Sequence, residues 1–368
     1  MDFTPGEAQQ ELAALTRRIL ADRATPERMR EVEAAGDRFD PVLWADLAAA
    51  GILSAALPET LGGAGFGLLE QCSVLAELGR AVAPVPYLAS AVLGAGALAR
   101  FGTPGQQQRW AAPAGRGELI LTAALAGEDG APPATAERVN GGWRLDGTRT
   151  AVPAATRADL TLLPAATGPG VLVFLLSRSD PGVSVAPQRL VDGDLAGRLE
   201  LAGVQVPDER VLGSPGAGAR AADWLVSRAT VGLCALQLGI LERALELTAS
   251  YARTRVQFGR PIGSFQAVAQ RLADAYIDVE AVRLTMWQAA WLLSAGLPAE
   301  TEVATAKFWA ADAGHRVAHT AVHVHGGVGI DTGYPVHRYF TAAKRAEVEL
   351  GGATVQLRRI GAALARAR

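Results

Sequence analysis

The chain has 368 residues, of which 49% are hydrophobic, 20% charged and only 6% aromatic. That is enough apolar content for two or three cored domains, and too much for a disordered chain. Its 35 basic and 37 acidic residues give a formal net charge of −2. This argues against nucleic acid as the main partner, because phosphate neutralisation needs a basic excess or stripe.

Helical periodicity opens the chain. Residues 11–21 place Leu12, Leu15 and Leu20 near one face, and residues 41–50 repeat this around Leu43, Trp44 and Leu47. The first stretch carries charges throughout and lacks the apolar core of a signal peptide, so the chain is expected to be cytoplasmic. Pro58 to Gly63 spells a turn, and a helical run over 68–78 follows. The longest uncharged stretch, 81–99, approaches membrane-spanning length. Pro84, Pro86, Gly94 and Gly96 within it predict a buried loop and helix and no membrane association.

From about residue 119 the texture changes to short β-rich runs, such as 143–145, 160–163 and 171–176, which end near Gly213. Long helical runs then return, with 225–253 and 266–293 far above average helix length. The division expected is an α-helical domain over 1–118, a β-domain over 119–213 and an α-helical bundle over 214–368. Helices, then strands, then helices excludes a repeating βαβ protein. No G-x-G-x-x-G follows a strand, which argues against a nicotinamide Rossmann fold. Leu284, Met286, Trp287, Trp291 and Leu292 give one helix more large apolar surface than a monomer leaves exposed, which predicts an obligate oligomer.

Two stretches carry chemistry. In Arg253 to Gln266 (RTRVQFGRPIGSFQ) a helix is expected to end near Gly259, Pro261 prevents its continuation, and Ser264 is the expected N-cap of the next helix. Arg255 in the last turn could clamp a phosphate, or these arginines simply neutralise a helix C-terminus. In His323 to Ile330 (HVHGGVGI) three glycines allow close backbone approach to an anionic ligand, although a plain helix C-cap explains them equally well. All five histidines lie between His315 and His337, with His315, His319 and His323 on one helical face. No carboxylate follows the zinc-helix pattern and Cys72 and Cys234 are remote, so packed or interface histidines are expected and no metal.

The pattern R-x-Q-F-G-x-P-I-x-x-F-Q (Arg255 to Gln266), L-A-D (Leu272 to Asp274) and H-G-G-x-G (His325 to Gly329) resembles the flavin-dependent acyl-CoA dehydrogenases. The resemblance covers most of the chain. Leu57 to Gly65 looks like the family's N-terminal P-E-x-x-G-G-x-G turn, and Val206 to Gly213 like its exit from the β-domain. It implies an N-terminal α-domain, a middle β-barrel and a C-terminal four-helix bundle, with bound FAD, an acyl-CoA substrate and electron-transfer flavoprotein as acceptor.

In the family a carboxylate removes the α proton while the β hydride goes to flavin N5. The position resembling that glutamate falls on Leu350, with Glu349 one residue away. The alternative family position, before an arginine resembling Arg228, falls on Ser227. Neither holds a carboxylate, so no catalytic residue is assigned. The flavin-ring loop aligns loosely with Ala126 to Pro133, and the W-I-T strand with Ala151-Val152-Pro153, where aromatic platform and hydroxyl are absent. By contrast, the positions that the family donates to a neighbour's flavin are kept or conservatively changed. They resemble Arg255, Gln257, Phe258, Gln266, His323, Gly326 and Gly327, with His323 replacing the usual glutamine. The resemblance therefore implies the base-lacking partner in a heterotetrameric enzyme of the kind found in bacterial sterol side-chain degradation, sharing FAD with a homologous subunit. Two alternatives stand beside it: a self-sufficient homotetramer using Glu349 or another carboxylate, and a flavin-free structural or regulatory homologue.

Overall fold

The computed structural model describes residues 3–127 and 133–366. The N-terminal helices are α1 (Glu7–Arg23), α2 (Pro26–Ala34), α3 (Pro41–Ala49) and α4 (Leu68–Ala81). Asp40 caps α3 by accepting from the amides of Val42 and Leu43, and Pro41 supplies the pre-set φ of a first helical turn. A buried π-helical run over Leu88–Ala95 continues into α5 (Gly96–Phe101), as the prolines and small residues of 81–99 led one to expect. Two short turns, α6 (Pro104–Gln106) and α7 (Ala112–Gly115), complete this region.

Seven strands follow: β1 (Leu121–Ala123), β2 (Thr135–Val139), β3 (Gly142–Val152), β4 (Leu160–Thr167), β5 (Gly170–Leu176), β6 (Val183–Arg189) and β7 (Leu195–Val206). They form one sheet of order β1-β4-β2-β3-β7-β6, with β5 also paired to β4. The sheet is a curled half-barrel, in the place where the middle β-barrel was expected; among the described residues no pairing joins β6 back to the opposite edge. Its inner face buries Leu145, Leu163, Phe174, Leu199 and Val204 in one apolar cluster.

Beyond it run α8 (Gly218–Thr254), a two-residue hairpin of β8 (Val256–Gln257) and β9 (Arg260–Pro261), then α9 (Gln266–Ser294), α10 (Glu300–His325), α11 (Val336–Val348) and α12 (Ala353–Arg366). α8 is long and apolar enough to cross a membrane, but most of its apolar window is buried inside the protein. By spatial packing the described chain forms two compact units, whose boundary falls within α8. One comprises the chain up to Met29, Leu68–Ala83 and everything from Thr230; the other comprises Arg30–Gly67 and Pro84–Ala229.

In the first unit glycines let helices touch backbone to backbone. A Cβ on Gly79 would stand 2.1 Å from the Leu236 carbonyl, and one on Gly239 only 1.9 Å from that of Ala76. Ion pairs flank this crossing, with Arg80 held by Glu242 and Glu246 and Glu77 by Arg17. In α9, Met286 is fully buried, so it is core and not oligomer surface as its sequence context suggested. Ile277, Leu284 and Trp291 are exposed at seven-residue spacing beside exposed Tyr276. They form one uncovered apolar stripe.

Candidate functional site

Residues 251–266 and 323–334 are far apart in sequence but adjacent in the fold. Tyr251, in the last turn of α8, stacks on His325 in the last turn of α10 with ring centroids 4.4 Å apart, and Tyr334 packs against both. His325 is almost fully buried; its Nδ1–H donates to the Ala321 carbonyl at 2.8 Å, and the Tyr334 hydroxyl donates to Nε2 at 3.4 Å. Burial pulls the imidazole below its usual pKa, partly offset by the Ala321 bond, and pushes the Tyr334 phenol up. This neutral aromatic cluster splices two helix C-termini together, and with them the two motifs that they carry.

The first motif differs in local form from its sequence reading. α8 ends at Thr254, not near Gly259, so Arg255 stands just beyond the helix, its amide still donating to Tyr251. Val256 to Pro261 then form a tight hairpin whose two central residues, Phe258 and Gly259, have φ of 52° and 77°. Left-handed conformation at both positions is what a two-residue hairpin demands, and glycine supplies it at one of them. Ser264 does not cap α9: its hydroxyl donates to Pro261, and Phe265 holds the N-cap position. Phe258 is 92% exposed at the tip, with Phe265 edge-on to it and the Arg260 guanidinium 4.2 Å over the Phe265 ring. Arg255, Gln257 and Gln266 are exposed around it.

At the second motif His323 is exposed in the last turn of α10, and Gly326 ends the helix at φ 64°, ψ −143°, a backbone shape essentially reserved for glycine. Nothing lies within 4 Å of where a Cβ would stand on Gly326 or Gly327, so this backbone is open to approach. Gly329 instead packs closely on Val322. His315 and His319 are exposed, with their ring centroids 4.3 Å apart and His319 edge-on to Phe340. His315 sits beside Glu347 and Lys344, and desolvation, with His315 and Lys344 nearby, lowers the His319 pKa. Among the described residues no three His, Cys, Asp or Glu side chains are grouped to hold a metal ion.

A cation, an aromatic ring and bare glycine backbone side by side suit the phosphate-and-base half of a dinucleotide. The residues at the flavin-ring positions do not suit a ring. The Ala151 amide (φ 50°) is taken by Gln188, Val152 is buried in the sheet core, and Pro153 has no amide to donate. The loop aligned with Ala126 to Pro133 lies largely outside the described residues.

The segment resembling the family's base region is built with care nonetheless. Glu349 ends α11 and pairs with Arg345 at 3.2 Å. Leu350 follows in the left-handed region at φ 59°, and Gly351 at 95°. Gln356, fully buried, donates from Nε2 to the carbonyls of both, at 3.1 and 2.9 Å. Buried Lys307 holds the end of α11 through the carbonyls of Ala346 and Glu347. Ser227 offers no free base either, since its hydroxyl donates to the Asp223 carbonyl within α8. The sequence analysis missed Tyr251 and Lys307. A tyrosine one turn before Arg255 and a lysine among so few in the chain were the signals available.

Comparison with known proteins agrees with this architecture. Residues 6–118 match the acyl-CoA dehydrogenase N-terminal domain and residues 216–365 the acyl-CoA dehydrogenase C-terminal domain. The chain is 54% identical to acyl-CoA dehydrogenase FadE27 of Mycobacterium tuberculosis over 99% of both chains. Among solved structures it resembles a chain of the ChsE4-ChsE5 complex from Mycobacterium tuberculosis, with 56% identity, 99% of both chains covered and a TM-score of 0.96. It also resembles a chain of the Tcur3481-Tcur3483 steroid ACAD G363A variant, with 41% identity, 99% of both chains covered and a TM-score of 0.92. By sequence along nearly its whole length and by fold, the chain belongs to the acyl-CoA dehydrogenase family of FAD-dependent oxidoreductases.

Proposed function

We propose that this chain is the base-lacking subunit of a heterotetrameric acyl-CoA dehydrogenase acting on a sterol-derived acyl-CoA, with electron-transfer flavoprotein as acceptor, in the cytoplasm. The observation that carries the reading is the end-to-end likeness to a chain of a two-protein complex, ChsE4-ChsE5. Support comes from Leu350, an apolar residue where the family's glutamate is expected, and from Ala151-Val152-Pro153, which offers no ring platform. The three sequence divisions, 1–118, 119–213 and 214–368, are the domains of this reading.

On this chain Arg255, Gln257, Phe258, Gln266, His323, Gly326 and Gly327 would hold the adenine and phosphate end of FAD whose ring belongs to the partner. The chemistry FAD supplies when bound is acceptance of a hydride from the substrate's β carbon. This chain's contribution is binding: Arg255 neutralises phosphate charge, Phe258 covers a ring face and the Gly326–Gly327 backbone permits close approach. Removal of the α proton falls to a carboxylate of the partner, because neither Leu350 nor Ser227 can accept a proton at neutral pH.

Co-expression with a homologous subunit tests this. The expected product is a mixed tetramer whose flavin is lost when this chain is expressed alone. Arg255→Ala in the complex should weaken flavin retention by about 1.5–3 kcal/mol, the loss of one charge-assisted bond. Glu349→Gln should leave turnover intact. A yellow, active homomer, or a large loss of turnover in Glu349→Gln with flavin and assembly intact, would restore the self-sufficient enzyme.

A further inference from the structure

The Arg255 hairpin and the Gly326 turn belong to different helix ends, and their outer residues do not fix the distance between them. Phe258 is exposed at its tip, and nothing lies within 4 Å of a Cβ built on Gly326 or Gly327. The fixed point stands one layer below, at His325. On the α8 side the Tyr251 carbonyl accepts the Arg255 amide at 2.8 Å, and the Arg255 carbonyl accepts from Ile262 at 2.8 Å, which closes the hairpin. The ring of that same Tyr251 stacks on His325. On the α10 side His325 directly precedes Gly326, and Gly329 folds back over it so closely that a Cβ there would stand 3.1 Å from the His325 Cβ. The chain then returns to Tyr334, whose hydroxyl reaches His325 Nε2. One imidazole therefore touches the residue that anchors Arg255 and ties both ends of the glycine segment. Around it Ala244, Leu247, Ala321 and Val336 supply apolar packing, which is non-directional and leaves the orientation to the ring.

This arrangement suits the neutral ring. Nδ1–H donates to Ala321 and Nε2 accepts from Tyr334, so a proton on Nε2 turns the acceptor into a donor that faces a donor. At 4% exposure the imidazolium gains little from water in exchange. The titratable groups packed on the ring are Tyr251 from α8 and Tyr334 from the segment before α11. Tyr339 of α11 packs on the same cluster, but its hydroxyl donates to the Arg80 carbonyl, and His337 is turned to the Tyr334 carbonyl at 2.6 Å. Burial lowers the His325 pKa, and the Ala321 bond opposes it. We infer that His325 is a positioning residue for FAD binding: as a neutral imidazole it holds the Gly326–Gly327 backbone in register with the Arg255 hairpin, and its protonation loosens both. The inference rests on the reading that these two motifs hold the phosphate and adenine end of FAD. Protonation of His323, exposed at the same site, would act in the opposite sense by adding a positive charge beside phosphate. The direction of the pH effect separates the two histidines.

The test is the rate of FAD release from the assembled complex, followed by flavin fluorescence across about pH 5–8, with hydrogen exchange at residues 255–262 and 326–329 measured alongside. In the native complex release should accelerate as pH falls below about 6. His325→Phe keeps a ring for Tyr251 and loses both hydrogen bonds. Its release should be about tenfold faster at neutral pH and should no longer rise on acidification, with faster exchange in both segments. Tyr334→Phe, which removes one hydroxyl, should show a smaller increase of the same kind. Arg255→Ala should speed release but keep the native pH dependence and the native exchange at 326–329. Native release and pH dependence in His325→Phe, beside an Arg255→Ala that loses flavin, would overturn the positioning role and leave the flavin reading standing. Release unchanged in all three variants would overturn both. Should His325→Phe fail to assemble, Tyr334→Phe decides alone, and native release in it would overturn the inference.

Discussion

Replacing Lys307 by methionine isolates what one buried cation does for the segment around Leu350. The last four carbonyls of a helix lack intrahelical partners, and in α11 each finds a substitute. Arg345 accepts from the Glu349 amide at 3.1 Å and Val348 from the Gly351 amide at 3.1 Å. Ala346 and Glu347 accept from Lys307 Nζ at 3.0 and 3.1 Å. Lys307 is fully buried, so methionine, similar in length, removes both bonds without opening a large cavity. Leaving two carbonyls unpaired costs about 1–3 kcal/mol each. Against this stands relief from burying the ammonium, whose pKa desolvation lowers despite nearby Glu349 and Glu347. The cation also complements the negative end of the α11 dipole. The net expectation is a loss of about 2–4 kcal/mol, read as a lower urea midpoint at unchanged slope. Hydrogen exchange at residues 349–351 should accelerate together with it. A loss under about 0.5 kcal/mol would mean that water satisfies these carbonyls as well as Lys307 does, and the clamp would be dispensable.

Gly239→Ala should destabilise by at least ~1 kcal/mol, measured by denaturant unfolding, since the clash with the Ala76 carbonyl outweighs the helix propensity gained. Burial keeps His325 below the ordinary imidazole pKa, so the unfolded chain binds a proton near pH 6.5 that the folded chain still refuses. Its contribution to stability is therefore full above about pH 6.5 and declines as pH falls from there to the folded pKa; His325→Phe should flatten that decline in unfolding measured against pH. Leu284→Glu with Trp291→Glu should yield smaller species in sedimentation, and an unchanged assembly would show that the α9 stripe is not an interface.

Much of the architecture was legible in the sequence because it is written in local periodicity. The runs at 225–253 and 266–293 lie within α8 and α9, and Pro58 to Gly63 forms its turn, since spacing of apolar residues and φ demands are properties of neighbouring residues. Ends were less legible. Thr254 rather than Gly259 closes α8 because the chain can reverse in a two-residue hairpin, with Phe258 forced into left-handed backbone by pairing that no local preference announces. The motifs around Arg255 and Gly326 could be named in the sequence, but not their adjacency. That required Tyr251 to stack on His325, a contact across more than seventy residues, and long-range packing leaves no periodic trace. Likewise, composition alone marks Lys307 as a rare residue type and not as a clamp. Folding alone makes it one: it closes two carbonyls around a fully buried ammonium, where desolvation makes pairing matter most.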